Sequence, residues 1–138
     1  MGAFTTTYLG SLRCENLHEQ SGTRILTDAP TDNHGMGSAF SPTDLCALSL
    51  TTCIVTTMGL YAQAKNLQIL SVEARTLKHM SSDPRRIERI EVHLNLTVPE
   101  GFSDRDREGL TRVAHTCPVA RSLHPDIVQD VLISWSIR

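Results

Sequence analysis

The sequence has few aromatic residues and no excess of charge of either sign. Aromatic side chains make up 4% of its 138 residues, and 13 basic residues are balanced by 15 acidic ones, which gives a net charge of −2. Proteins that bind nucleic acids usually carry a basic patch for phosphates and aromatic rings for bases. We therefore expect neither a nucleic acid nor a membrane surface as a partner, and we expect a mainly aliphatic core.

Two further patterns are missing. No Cys-x-x-Cys or His-x-x-x-His spacing occurs, which disfavours a metal site made of Cys53, Cys117, His115 and His124. The N-terminal residues lack a basic head followed by an apolar block, so we expect no secretory signal and a cytoplasmic protein. In that reducing compartment, four cysteines favour chemistry or plain packing over a framework of structural disulfides.

The longest apolar segment, residues 41–66, predicts a helix. Ser41, Pro42 and Asp44 have the spacing of a capping box with proline at the first helical position. No charged residue occurs at positions 45–64, and apolar side chains fall on every side of the helix. The length suits a membrane span, but the many hydroxyl side chains and the mixed composition of the remaining chain disfavour that alternative. We expect a central helix that is buried on all sides.

The flanking segments predict an α+β fold with largely antiparallel sheets. Residues 103–115 begin with a second capping-box spacing, which predicts another helix. Residues 117–123 have proline at their second position, where a helix would begin, and predict a short third helix. Because one small sheet covers only one side of the central helix, we expect a second subunit to bury the rest. The strands are predicted at residues 4–9, 12–19, 24–27, 72–76, 90–98 and 131–137, within a single domain of residues 1–138.

Two of the four cysteines are candidates for chemistry. Cys53 is predicted near the middle of the long helix, where burial makes a thiol inert unless a cation is close. Cys117 is predicted to cap the short helix, whose free N–H groups favour a thiolate, with His115 two residues before it. For each thiol the alternative role is that of a small packed hydrophobic residue, which is the role we expect for Cys46.

Several motifs occur in an order that is typical of one family. They are Asp-Ala-Pro at 28–30, Asp-Asn-His-Gly at 32–35, Phe-Ser-Pro-Thr-Asp-Leu at 40–45, the helix around Cys53, and His-Thr-Cys-Pro-Val-Ala at 115–120. Together they resemble the OsmC/Ohr family, the osmotically inducible protein C and organic hydroperoxide resistance proteins. The resemblance implies an OsmC-like fold in an intertwined homodimer, whose sheets wrap two central helices. It also implies a thiol peroxidase that uses no metal, flavin or haem, with active sites at the subunit interface.

The resemblance also implies roles for individual residues. Cys53 looks like the peroxidatic cysteine, whose thiolate attacks a hydroperoxide and becomes a sulfenic acid, and Cys117 looks like the resolving cysteine, which condenses with it to a disulfide. A dithiol, either a small molecule or a lipoyl-type protein, then reduces that disulfide. An arginine of the N-terminal strands is implied to activate Cys53, with Arg13 the better match and Arg24 the weaker one. The apolar setting of Cys53 favours organic hydroperoxides.

One position departs from the family pattern. Members of the hydroperoxide-resistance branch carry Glu directly after the proline that starts the helix, and this chain has Thr43 there. Asp44 is the candidate replacement, although the capping box already accounts for it and helical spacing places it on the opposite face from Cys53. The departure keeps an alternative function open. It is a non-catalytic small-molecule binding or redox-sensing protein that uses the same pocket at the dimer interface.

Overall fold

The structure, a computed structural model, describes residues 2–138 and has an α+β fold, as the sequence predicts. It contains two compact units, of which the first ends at Cys46 and the second begins at Ala47. The prediction of one domain over residues 1–138 stays a prediction. In chain order the elements are β1 (Phe4–Gly10), β2 (Arg13–His18), β3 (Arg24–Asp28), a 3-10 turn (Thr31–Asn33), α1 (Pro42–Lys65), β4 (Ser71–Ser82), β5 (Arg85–Val98), α2 (Asp104–Ala114), α3 (Pro118–Ser122) and β6 (Val128–Ile137).

The first unit is built on an antiparallel meander in the order β1-β2-β3. Its strands agree with the predicted ones to within one residue at each end. Ser11 and Leu12, both at positive φ, form the turn between β1 and β2. The register then places Arg13, the first residue of β2, opposite Asp28, the last residue of β3. This pairing joins a cation and a carboxylate that lie far apart in the sequence.

The loop that follows β3 folds back on itself and holds the end of that strand. The Asp28 carboxylate accepts hydrogen bonds from the Ser38 N–H at 3.0 Å and from the Ser38 hydroxyl at 2.6 Å. The loop passes so close to itself at Gly35 that an added Cβ would overlap the backbone of Ala29. Glycine is therefore required at this point of the loop.

Helix α1 begins with the capping box that the sequence predicts. The Ser41 hydroxyl accepts the Asp44 N–H at 3.0 Å, and the Asp44 carboxylate accepts the Ser41 N–H at 2.9 Å. Pro42 is the first helical residue, where its missing N–H leaves no partner unsatisfied. The helix ends at Lys65, and Asn66 follows in the left-handed conformation with a φ of 55°. Local sequence signals therefore set both ends.

Within the single chain, α1 is buried along one stripe, and its burial on all sides, which needs a second subunit, stays a prediction. The opposite side leaves Thr52, Thr56 and Leu60 exposed, with Leu60 at 62%. By length and composition α1 is the one helix of residues 2–138 that is able to cross a membrane, but core helices of soluble proteins meet the same criterion. The hydroxyl of Thr51 on the buried stripe hydrogen-bonds that of Thr76 on β4 at 2.5 Å. The buried residues are Ala47, Leu50, Thr51, Ile54, Met58 and Ala62.

The second unit is built on a sheet in the order β4-β5-β6. Strands β4 and β5 are antiparallel, whereas β5 and β6 are parallel. A parallel pair needs a long crossover connection, and α2 and α3 lie between these two strands in the chain. The predicted alternation along β5 is confirmed, because every second side chain from position 90 to position 98 is buried. These residues are Ile90, Val92, Leu94, Leu96 and Val98.

Helix α2 also starts at its predicted cap, where the Ser103 hydroxyl accepts the Asp106 N–H at 3.1 Å. It packs against α1 at Gly109, since an added Cβ there would overlap the Tyr61 ring. This close approach holds α2 against the C-terminal part of α1.

Candidate active site

Cys53 lies on α1 at the border of the buried stripe. Its immediate neighbours along the chain are Thr52, which is exposed, and Ile54, which is fully buried, and the cysteine itself is half-buried. Leu50, one turn earlier, is also fully buried. The thiol therefore combines an apolar setting with partial access from outside the chain.

Cys117 occupies the N-cap of α3, as the sequence predicts. Its sulfur accepts the Ala120 N–H at 3.3 Å, and Pro118 is the first residue of the helix. The residue has an extended backbone, with φ −66° and ψ 150°, and its side chain is fully buried. The cap bond fixes the direction of the sulfur, which leaves little rotational freedom to the thiol.

The two thiols lie next to each other. Burial raises the pKa of Cys117, and a side-chain hydrogen bond with Cys53 and the negative charge of a Cys53 thiolate raise it further, against the lowering effect of the Ala120 N–H. The two sulfurs are therefore within hydrogen-bonding reach of each other. The structure thus brings together two cysteines that the sequence places on separate elements.

The expectation that Cys117 ionises readily is wrong, because the pKa of this thiol is raised and not lowered. That expectation relies on the N-terminus of a helix, which stabilises a thiolate through free N–H groups and the helix dipole. Helix α3 is only 5 residues long, and its Ala120 and Val119 N–H groups lower the pKa, whereas the side chain has no contact with solvent. Desolvation is the largest effect on the pKa of Cys117, and it favours the neutral thiol.

The two candidate arginines differ in their surroundings. Arg13 is half-buried on β2, and its Nε atom is buried with no hydrogen-bond partner among residues 2–138. Arg24 instead forms an ion pair with Glu15 at 2.5 Å, and its side chain is 58% exposed. Of the two, Arg13 is the one with a buried guanidinium nitrogen that has no partner among these residues. Activation of Cys53 by Arg13 stays a prediction.

The candidate carboxylate Asp44 is engaged in the capping box of α1 through its bond from the Ser41 N–H. Its role as a site carboxylate stays a prediction. Asp28 begins the Asp-Ala-Pro motif, to which the sequence assigns no role. It is 1% exposed, and its pKa is lowered mainly by its two bonds from Ser38, with a further contribution from the charge of Arg13. The pairing of Asp28 with Arg13 depends on strand register, which is not visible in the order of residues.

No group of three or more His, Cys, Asp or Glu side chains in the described part of the chain is arranged to hold a metal ion. His115 is exposed, and His124 lies 3.8 Å from the Asp126 carboxylate.

Fold and site together define an α+β protein with two adjacent cysteines, one on a long core helix and one at the cap of a short helix. The profile of the family described as OsmC-like protein matches residues 35–131. A solved structure from Psychrobacter arcticus 273-4, named as a candidate osmotic stress induced and detoxification response protein, is 44% identical, with a TM-score of 0.85 and 96% of each chain covered. The chain belongs to the OsmC-like family.

More distant solved structures share the fold. An OsmC-like protein from Mycoplasma pneumoniae is 18% identical, with a TM-score of 0.80 over 99% of this chain and 97% of that one. An organic hydroperoxide resistance protein OsmC from Legionella pneumophila is 16% identical, with a TM-score of 0.73 over 97% of this chain and 96% of that one. No curated protein matches the sequence. At these identities the last two structures support the architecture alone.

Proposed function

We propose that the protein is a cysteine-based peroxidase that reduces organic hydroperoxides. The observation that carries the proposal is the direct contact of Cys53 with Cys117, because two adjacent thiols can form a disulfide once one of them has been oxidised. The names of family members, among them the Legionella pneumophila organic hydroperoxide resistance protein, point to the same class of substrate.

The proposed reaction begins at Cys53. Its thiolate attacks one oxygen of the hydroperoxide, the O–O bond breaks, and the alkoxide leaves as the alcohol after taking up a proton, so that Cys53 becomes a sulfenic acid. The Cys117 thiol then loses its proton, its sulfur attacks the Cys53 sulfur, and the hydroxyl group leaves as water. A dithiol finally reduces the Cys53–Cys117 disulfide and is itself oxidised to a disulfide.

The surroundings of Cys117 support this division of roles. Burial raises the pKa of Cys117, so this thiol tends to keep its proton and is less suited to the first attack. Cys53 is also half-buried whereas Cys117 is fully buried, so an incoming peroxide meets Cys53 first. The apolar side chains of Leu50 and Ile54 favour an alkyl hydroperoxide over hydrogen peroxide.

The proposal includes Arg13 as the cation that stabilises the thiolate of Cys53. A guanidinium near a thiolate lowers the cost of its charge, and the unpaired Nε of Arg13 is a donor suited to that task. We further propose that the protein is a cytoplasmic homodimer, in which the exposed side of α1 packs against the second subunit. The exposure of Leu60 in the middle of an apolar helix supports this arrangement.

A steady-state assay tests the proposal. The purified protein is mixed with tert-butyl hydroperoxide and dithiothreitol, and the loss of peroxide is followed over many turnovers. We expect catalytic consumption with the dithiol and much slower consumption with a monothiol at equal thiol concentration, because a dithiol closes on itself to release the reduced enzyme. Hydrogen peroxide is the matched substrate and is expected to react more slowly. Absence of turnover with every peroxide would favour the alternative of a non-catalytic binding or redox-sensing protein.

A further inference from the structure

We infer that a surface cavity between α2 and β6 binds a small aromatic carboxylate, which Arg107 holds beside the ring of Trp135. The cavity has a volume of about 500 Å³, within the range of about 300–1,000 Å³ that is typical of small-molecule sites. All of the residues that line it belong to the second unit, and neither Cys53 nor Cys117 is among them. The inference therefore goes beyond the proposed function and does not depend on it.

One side of α2 forms the first wall of the cavity. The lining residues of this wall are at positions 104, 107, 108, 111, 112 and 115, and this helical spacing places them on one side of α2. Gly109, Leu110 and Ala114 belong to the other side and are buried. Because the core of the unit holds the buried side of the helix, the polar side is fixed facing outward, where it borders the cavity.

Trp135 of β6 forms the second wall. It is the single tryptophan of the chain, it is half-buried, and its ring lies 6.2 Å from that of Phe102. The Cζ atom of Arg107 lies over the Trp135 ring, 5.6 Å from its centre, which is within the reach of a cation–π interaction. The cavity thus offers a flat apolar surface and a guanidinium next to each other. These are the two groups that an aromatic carboxylate needs.

The guanidinium of Arg107 is not satisfied by the protein itself. Its Nε atom is buried and has no hydrogen-bond partner among residues 2–138. Arg24 and Arg89 each form ion pairs with carboxylates, whereas Arg107 forms none within the described part of the chain. Half-buried donors without acceptors are costly, and the planar fork of a guanidinium matches a carboxylate with two parallel hydrogen bonds. An anion that enters the cavity would supply the missing acceptor.

The other charged residues of the cavity favour an anion with a single charge. Arg112 adds a second exposed cation, and Asp104 and Glu108 add two exposed carboxylates. Like charges repel, so these carboxylates would oppose a dianion such as phosphate more strongly than a carboxylate with one charge. A ring on the ligand adds apolar contact with Trp135, which a bare anion lacks. Charge and shape together therefore point to an aromatic carboxylate.

The test uses the fluorescence of the full-length protein, because its single tryptophan lines the cavity and reports on this site alone. The protein is titrated with benzoate, and calorimetry measures the affinity independently. We expect a saturable change in the Trp135 emission. Benzamide has the same ring without the charge, and acetate has the charge without the ring. Both, and phosphate as well, should bind at least about tenfold more weakly than benzoate, since each lacks one part of the match.

Variants of the arginine test its role directly. Arg107→Gln should weaken the binding of benzoate by about 10- to 100-fold, the effect typical of a lost hydrogen bond between charged groups. Arg107→Lys keeps the charge but loses the planar fork, so it should also bind more weakly than the wild type. Arg105→Gln is the matched control. It removes an exposed arginine of the same helix that does not line the cavity, and it should leave the affinity unchanged.

Three results would overturn the inference: no binding of benzoate by either method, equal affinity for benzamide and benzoate, or an unchanged affinity in a folded Arg107→Gln variant. If that variant does not fold, the series of ligands on the wild type still decides the matter. Arg112→Gln, at an exposed position, then provides the variant and should weaken binding by a smaller factor. A wild type without peroxidase turnover would overturn the proposed function instead and would leave the result for benzoate unaffected.

Discussion

The thiol of Cys117, at the cap of α3, lies within hydrogen-bonding reach of the sulfur of Cys53 on α1. The surroundings of the two thiols differ: Cys117 is fully buried, which raises its pKa, whereas Cys53 is half-buried. We therefore expect an oxidant that reaches the pair to meet the Cys53 sulfur first. Replacement of each cysteine should therefore block a different step of the proposed reaction.

The first prediction concerns the separate roles of the thiols. Cys53→Ser should abolish peroxide consumption, because no other sulfur takes over the first step. Cys117→Ser should still react once with peroxide but should stop at a Cys53 sulfenic acid, which dimedone traps and mass spectrometry detects. Cys46→Ser is the control and should retain catalysis, since we expect Cys46 to serve only in packing. Full turnover in Cys117→Ser would contradict the assigned roles.

The second prediction concerns the pH dependence of disulfide formation. Burial raises the pKa of Cys117, so at neutral pH only a small share of this thiol is ionised and able to attack. The rate of resolution in a single turnover should therefore increase with pH and continue to increase beyond about 8.5, where an ordinary cysteine is half ionised. Acid-quenched samples, analysed for the disulfide at successive times, measure this rate. A rate that reaches its plateau near neutral pH would show that Cys117 ionises readily after all.

How far the sequence predicts this fold depends on whether the information is local. The Ser41 capping box and the alternation along β5 predict their elements correctly, because a few neighbouring residues carry the signal. The parallel pairing of β5 with β6 and the register that joins Arg13 to Asp28 depend on residues far apart, which periodicity does not report. Strand β4 also extends past its predicted end, and β5 begins before its predicted start, since these added segments are mainly polar.

In the candidate site, too, local features could be predicted from the sequence and features that depend on the folded chain could not. Its cysteines are visible from their motifs, and the N-cap position of Cys117 follows from Pro118. The sequence does not predict that the pKa of Cys117 is raised. Burial is a property of the folded chain, and its effect on the pKa outweighs that of the helix N-terminus. The burial of Asp28 could not be predicted from the sequence for a related reason. It depends on the loop that brings Ser38 close to the Asp28 carboxylate.

The third prediction concerns stability in acid. Hydrogen bonds from His93 and His79 lower the pKa of Glu91 below its unfolded value. The folded state then binds fewer protons there than the unfolded state, so this contribution to stability is present above the unfolded pKa and is lost as pH falls through the folded pKa. Glu91→Gln should lower the thermal midpoint at neutral pH and flatten its decline in acid. Glu88→Gln, at an exposed position on the same strand, is the control and should change neither.

The fourth prediction concerns the uncovered side of α1. Leu60 is 62% exposed within the chain, so Leu60→Glu should be nearly neutral for a monomer, within about 0.5 kcal/mol. If a second subunit covers this side, the buried charge should instead split the dimer. Light scattering after size-exclusion chromatography gives the mass. Leu132→Glu, at a leucine of β6 that is 51% exposed, is the matched control and should leave the dimer intact. A wild type that is monomeric, or a dimeric Leu60→Glu variant, would contradict this interface.

The most direct test is to map the cysteines after the reduced protein has reacted with one equivalent of tert-butyl hydroperoxide. Non-reducing digestion and mass spectrometry should find a peptide pair linked between Cys53 and Cys117, with Cys14 and Cys46 still free thiols. Addition of dithiothreitol should restore all four thiols. Recovery of Cys53 and Cys117 unmodified, or a disulfide that joins any other pair, would contradict the account.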